Sequence, residues 1–268
     1  MSATEGSRST APAGGDVPEL PELPEASRWV LEVSAVAPIT PAVTRIRLAA
    51  FPADGGERPL VHAPGQDLSL TVPGPHGSSV NRRYTIDAYD VRTGTVDLAI
   101  VTHGDGPGAR WLASASPGDR VEALGPRGKI TLGVGASTHL FVGDEASLAA
   151  IGSIAGAIPA GGRAIVLADV ADEHERRPIA VAPGASIEVC WIERGDERPE
   201  SPARVIAELR GIEIPSDDTH AYLFGEMRVV AGARALLGER LDPSRISPKP
   251  YWRAGRPNAD RGEPDRDQ

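Results

Sequence analysis

Arg82, Tyr84 and Thr85 stand in an R-x-Y-T pattern inside NRRYTIDAYD, residues 81–90. A guanidinium pairs with phosphate oxygens through two parallel hydrogen bonds. A tyrosine ring stacks on a flat heteroaromatic, and a threonine hydroxyl both donates and accepts. Together these residue types suit a flavin nucleotide: phosphate, ring face and ring edge each find one side chain. On a strand, Arg82 and Tyr84 share one face while Arg83 and Thr85 share the other. Service of one ligand by all of them requires a bend or a contribution from the backbone. The plain alternative is a Thr/Tyr-rich edge strand without a ligand.

A second pattern follows. His103-Gly104-Asp105-Gly106-Pro107 closes a β-branched run and opens the helix-like stretch Gly108-Ala109-Arg110-Trp111-Leu112-Ala113. Proline suits a first helical turn because its missing N–H has no intrahelical partner to lose. Glycines leave amides accessible, and a helix start favours an anion. A pyrophosphate fits Gly106, Pro107, Gly108 and Ala109; an ordinary strand-to-helix connection is the other reading.

The elements that must position these residues fall into two sets. From Arg28 to about Leu132, six short β-branched runs are punctuated by Pro and Gly: WVLEVSAV, AVTRIRLAA, QDLSLTV, RRYTIDAY, TVDLAIVTH and RVEALG. Six such runs in about a hundred residues predict a small antiparallel barrel. After residue 137 the apolar runs THLFVGD, RAIVLADV, SIEVCWIE and THAYLFGE alternate with helix-like stretches over Glu145–Ala157, Pro202–Leu209 and Glu226–Arg240. That alternation predicts an α/β unit with a mostly parallel sheet. Ligands of such sheets bind at the carboxyl ends of strands. Here those ends read Gly143-Asp144-Glu145, Asp169 and Gly225-Glu226. The expected organisation is a disordered tail over 1–27, a barrel over 28–134, an α/β unit over 137–253 and a charged, disordered tail over 254–268.

Composition narrows the function. The chain has 268 residues, 40% of them hydrophobic, and a net charge of −9. That charge argues against nucleic acid as a partner, since phosphate backbones bind basic faces. No run approaches the roughly 18 apolar residues of a membrane span. The N-terminus lacks a basic start followed by an apolar core, so no signal peptide is expected. The single Cys190 excludes an internal disulfide and fits a reducing, cytoplasmic setting. Its apolar flanks predict a buried structural thiol. The six histidines are scattered without metal spacing, so no metal site is expected.

The order of these landmarks resembles the siderophore-interacting protein family, relatives of the ferredoxin-reductase-like flavoproteins. The resemblance spans about Arg28 to Arg256. Its landmarks are the R-x-Y-T stretch, the glycine turn with Arg110-Trp111, Pro117-Gly118-Asp119-Arg120, Gly125-Pro126-Arg127-Gly128, Gly143-Asp144-Glu145, Gly225-Glu226 and Tyr251-Trp252-Arg253. It implies FAD bound non-covalently to the barrel, NAD(P)H on the α/β unit and a ferric siderophore as electron acceptor. Carried over by position, Arg82, Arg83, Tyr84, Thr85, His103, Gly106, Pro107, Gly108, Ala109, Trp111, Asp144 and Glu145 fall on the cofactor side. Tyr84, Thr85 and Arg253 fall at the reacting centre. Ser69, Asp87, Tyr251 and Trp252 fall toward the substrate. His103 either meets the phosphate or adenine end of FAD or faces water.

The departures from the family cluster. Ser69 stands where a lysine is expected, Asp87 where a basic residue is common, and Ala146 and Ala149 where threonine and proline are usual. Pro250 replaces a glycine, and of the expected basic patch Arg253 is kept. A cation exchanged for an anion turns the local field against anionic ligands. Two functions follow. One is electron transfer from NAD(P)H through FAD to a ferric siderophore. The other is an FAD-holding enzyme of secondary metabolism, a cyclase or tailoring enzyme acting on an apolar, polyketide-like substrate by holding it in a reactive shape, with little or no use of NAD(P)H. Either way the partner is a small molecule.

Overall fold

The computed structural model describes residues 26–102, 104–195 and 197–255. The expectations for His103 and for most of the two tails lie outside the described residues.

Six strands close into an antiparallel barrel: β1 (Ser27–Thr40), β2 (Val43–Pro52), β3 (Asp67–Pro73), β4 (Ser79–Asp90), β5 (Thr95–Val101) and β6 (Arg120–Arg127). Their order round the barrel is β1-β2-β5-β4-β3-β6, with β6 pairing back to β1. Alternation does the sorting. Leu31, Val33, Ile46, Leu48, Leu68, Leu70, Val96 and Leu98 point inward and are almost fully buried. At the closing seam the indole of Trp29 donates to the Gly125 carbonyl at 2.8 Å. Between β5 and β6 the helix α1 (Pro107–Ser114) presses Trp111 and Leu112 onto the barrel core. That packing fixes where the helix begins.

The second unit is a five-stranded, all-parallel sheet of order β11-β10-β7-β8-β9. Its strands are β7 (Thr138–Asp144), β8 (Arg163–Val170), β9 (Ser186–Glu193), β10 (Thr219–Glu226) and β11 (Ile246–Trp252). Helix α2 (Leu148–Ala155) covers one face; α3 (Ala203–Gly211) and α4 (Met227–Leu237) cover the other. β7 and β10 are central and read as nearly continuous apolar runs, as strands buried on both faces must. Chain order reverses between β7 and β10, the place where open α/β sheets bind ligands.

Two elements differ from expectation. β11 carries Pro248 and Pro250 and was not legible as a strand; it is accommodated because it lies at the sheet edge. Cys190 is half-buried rather than buried, since β9 is the opposite edge, and burial raises its thiol pKa.

The barrel and the sheet are tied at several points. Glu175, in the β8–β9 connection, accepts from the Thr40 hydroxyl at 2.5 Å and the Ala42 amide at 2.8 Å. Arg177 meets Asp87 at 3.5 Å, and the Gly65 amide donates to Ser153 on α2 at 3.1 Å.

Candidate active site at the barrel–sheet cleft

A cleft of about 700 Å³ runs along the junction. β4 passes through it, and its two faces serve different walls. Arg82 and Tyr84 face α1, whereas Arg83, Thr85 and Asp87 face the sheet. The strand needs no bend to bring all four residues of the R-x-Y-T stretch to one cavity, because the cavity lies on both sides of it.

On the α1 side, Gly108 lies directly under Tyr84. A Cβ at Gly108 would overlap the Tyr84 hydroxyl and come within 3.7 Å of Arg82 Cγ. Burial pushes the Tyr84 phenol up to about 12, with Arg82 pulling slightly the other way, so it remains a neutral donor. The first helical bond of α1 runs from the Arg110 amide to the Gly106 carbonyl at 3.0 Å. The Gly108 and Ala109 amides precede it and have no partner within the helix. Gly106 provides no side-chain cap. Arg82 adds its guanidinium, with one donor spent on the Asn81 carbonyl at 2.7 Å. Arg127, exposed at the end of β6, and Lys129, exposed just beyond it, line the same cavity.

On the sheet side, Thr85 is buried. Across from it the hydroxyl of Tyr251 is buried with no hydrogen-bond partner among the described residues. Thr85 is near enough to favour the Tyr251 phenolate slightly without completing a hydrogen bond, and burial raises the Tyr251 pKa far more. A buried hydroxyl left without a partner costs free energy unless a ligand supplies one.

Asp144 ends β7 and organises this wall. Its carboxylate accepts from the Trp252 indole at 2.7 Å, the Glu226 amide at 3.0 Å and the Ala146 amide at 3.0 Å. Gly225, at φ +97°, must be glycine, since a Cβ there would strike the Asp144 carboxylate. Burial, and then the neighbouring Glu145 carboxylate, push Asp144 up to about 7; Trp252 and Arg194 pull it down. Glu145 is spent on Arg194 and on the Ala171 amide at 2.7 Å. Arg204 grips Asp169 with two 3.0 Å bonds. The Glu226 side chain caps α4 through the Arg228 and Val229 amides.

Twelve of the expected site residues therefore line one cavity: Arg82, Arg83, Tyr84, Thr85, Gly106, Pro107, Gly108, Ala109, Asp144, Glu145, Tyr251 and Trp252. Four do not. Trp111, on α1, packs against the barrel core. Ser69 is buried on β3, beside β4 and opposite Arg83 in register. Asp87 faces the sheet and is paired with Arg177, so its charge is not turned toward a ligand. Arg253 is exposed outside the cavity wall.

The expected loss of positive charge is also corrected. Lys249 on β11 reaches the cavity and bonds Asp67 at 2.9 Å, and Arg83, Arg127 and Lys129 line the same cavity. Lys249 went unseen because it sits in a Pro-flanked stretch that did not read as a strand. Its placement depends on β11 pairing with β10.

A closed antiparallel barrel followed by a parallel sheet, with the cavity at their junction, defines the ferredoxin-reductase-like fold. A family model described as siderophore-interacting FAD-binding domain matches residues 24–130, and one described as siderophore-interacting protein matches residues 136–255. The chain belongs to the siderophore-interacting protein family. It is 26% identical over 185 residues to the ferric vibriobactin reductase ViuB of Vibrio cholerae, covering 68% of each chain. It is 26% identical over 184 residues to the NADPH-dependent ferric-chelate reductase of Escherichia coli, covering 67% of this chain and 69% of that one. The solved structure of a siderophore utilization protein from T. fusca superposes with a TM-score of 0.76 at 27% identity, covering 89% of this chain and 97% of that one.

Proposed function

We propose that this protein is an FAD-dependent oxidoreductase that moves electrons from a nicotinamide dinucleotide to a ferric siderophore. The observation that carries this reading is the convergence of two binding walls on one cavity. The α1 wall offers two open amides, Arg82 and the Tyr84 ring. The sheet wall offers Thr85 and the unpartnered Tyr251 hydroxyl beside the strand-order reversal. A phosphate-bearing flavin fits that donor set: an anion for the helix start, an aromatic face for Tyr84, and ring heteroatoms for two hydroxyls. The family match and the names of the two reductases support the same reading.

Arg82 and the Gly108 and Ala109 amides would hold the FAD phosphates. Tyr84 would lie along the ring system, fixed from below by Gly108. Thr85 would donate or accept at the ring edge, and Tyr251 would complete its own hydrogen bonding there. FAD supplies acceptance of a hydride from the nicotinamide and stepwise release of electrons to ferric iron. Asp144 acts as a positioning residue: by holding the indole of Trp252 it fixes the sheet wall against which the nicotinamide would pack. The described residues contain no helix long and apolar enough to cross a membrane.

The test is anaerobic addition of NADH or NADPH to FAD-loaded protein, with the visible flavin absorbance followed, then addition of a ferric chelate with a ferrous trap. Bleaching followed by ferrous release is the expected outcome. A flavin that stays oxidised with both nucleotides would remove the reading. The alternative of an apolar-substrate cyclase rests on a cavity emptied of cations, and the Arg83, Arg127, Lys129 and Lys249 side chains there do not favour it.

A further inference from the structure

Lys249 brings a charge to the cavity that the hydrogen bonding of the sheet wall does not require. It lies two residues before Tyr251 on β11. Its Nζ sits 5.3 Å from the centre of the Tyr251 ring and donates to Asp67 at 2.9 Å. Tyr251 carries the buried hydroxyl near Thr85 that has no partner among the described residues. Thr85 in turn stands opposite Asp67 in the barrel ladder. Lys249 is thus one aromatic ring away from the two hydroxyls assigned above to the flavin ring edge.

The charges around it do not cancel. Asp67 is buried and also accepts twice from Arg83, at 2.9 and 2.7 Å. One carboxylate faces two cations, so the trio is net positive, and Arg127 and Lys129 line the same cavity. These cations are not equivalent. The Lys249 side chain is 21% exposed and that of Arg83 39%, while Arg127 and Lys129 are exposed. Water and salt screen an exposed charge strongly and a partly buried one much less. Of the four, Lys249 combines the deeper burial with direct contact to the tyrosine that reaches Thr85.

We infer that Lys249 tunes the bound flavin: its charge stabilises the reduced, anionic ring and so raises the reduction potential of the FAD. This role rests on the FAD placement of the proposed function. Hydride transfer brings two electrons and one proton to an uncharged ring, which is left with one negative charge. Two ferric chelates then take one electron each, and the proton returns to water. A cation held in a cavity of low dielectric favours the charged member of such a couple. Asp67 acts in the opposite sense while it holds Lys249 and Arg83 in place, so this one carboxylate limits how far the potential rises.

The experiment uses FAD-loaded full-length protein, reduced stepwise with dithionite beside a reference dye of known potential. Absorbance reads the ratio of reduced to oxidised flavin at each dye poise, with no nicotinamide present. Lys249→Gln should lower that ratio at fixed poise about tenfold, a shift of about 30 mV for a two-electron couple. Lys249→Arg keeps the charge and should restore most of the loss. Lys129→Gln, at an exposed position, should change the ratio by less than about twofold. Asp67→Asn removes the opposing charge and should raise the ratio severalfold; if it does not fold, the two Lys249 variants carry the test. A lysine that merely ties β11 to the barrel would leave the ratio unchanged in Lys249→Gln, or move it equally in Lys249→Gln and Lys249→Arg. Either result overturns the inference. Protein that cannot be loaded with FAD removes this role and the proposed function together. If the ratios shift as expected while NADH and NADPH both leave the flavin oxidised, the proposed function falls and the role of Lys249 stands.

Discussion

The two walls of the cavity use charge in opposite ways. On the α1 side, polar groups are left open: the Gly108 and Ala109 amides and most of the Arg82 guanidinium. On the sheet side, nearly every charge is already matched within the protein. Asp144 has three donors, Glu145 has Arg194, Asp169 has Arg204, and Glu226 caps α4. Open donors indicate a resident anionic ligand, because they gain most when one is bound. Closed networks suit a wall held rigid for a transient visitor, the nicotinamide of the proposed function. Among the described residues the sheet wall leaves one buried polar atom of the cavity unmatched, the Tyr251 hydroxyl, which lies near Thr85 of the barrel.

Gly108→Ala should break the open wall most severely. The added methyl displaces the Tyr84 ring, while alanine favours the helix, so flavin loss rather than unfolding is expected. Purified variant should retain less than about a tenth of the wild-type FAD by absorbance, with an unchanged far-ultraviolet spectrum. Arg82→Ala comes next: losing a charge-assisted contact worth about 1.5–3 kcal/mol should weaken FAD binding roughly 10- to 100-fold by titration of apoprotein. Unchanged occupancy would show that the phosphates lie elsewhere.

The closed wall should answer to pH instead. The Asp144 carboxyl titrates near 7 in the folded protein, above its unfolded value of 3.8. The native state therefore holds an extra proton between those values. Its stabilising contribution is full below about pH 4, falls as pH rises to 7, and is flat above. The emission of Trp252, isolated as the difference from Trp252→Phe, should change with a midpoint near pH 7 in wild type and lose that change in Asp144→Asn. A flat profile in wild type would mean that the three donors keep the carboxylate ionised throughout. The smallest effect is expected at Ser69. Ser69→Ala removes a hydroxyl that does not line the cavity, so FAD occupancy and ferric reduction should stay within about twofold. A larger change would return Ser69 to the substrate site where the family pattern places it.

The sequence was most informative where one element carries its own signal. Arg82, Tyr84 and Thr85 lie within four residues, and Gly106–Ala109 form one strand-to-helix turn, so their types and spacing survive as local pattern. The same holds for the barrel strands, whose alternation is a property of each run. It did not reveal that Trp111, on the helix of Gly108, packs against the barrel core, or that Asp87 meets Arg177, 90 residues away.

Local chemistry and periodicity are written in the chain itself: which runs become strands, where a helix starts beside glycines, and that an arginine, a tyrosine and a threonine stand within four residues. The fate of each charge was decided only by the tertiary structure. Whether Asp67 repels a ligand or clasps Lys249, 182 residues away, depends on two walls meeting, because electrostatic energy follows distance in space and burial from water, and neither is a function of position along the sequence.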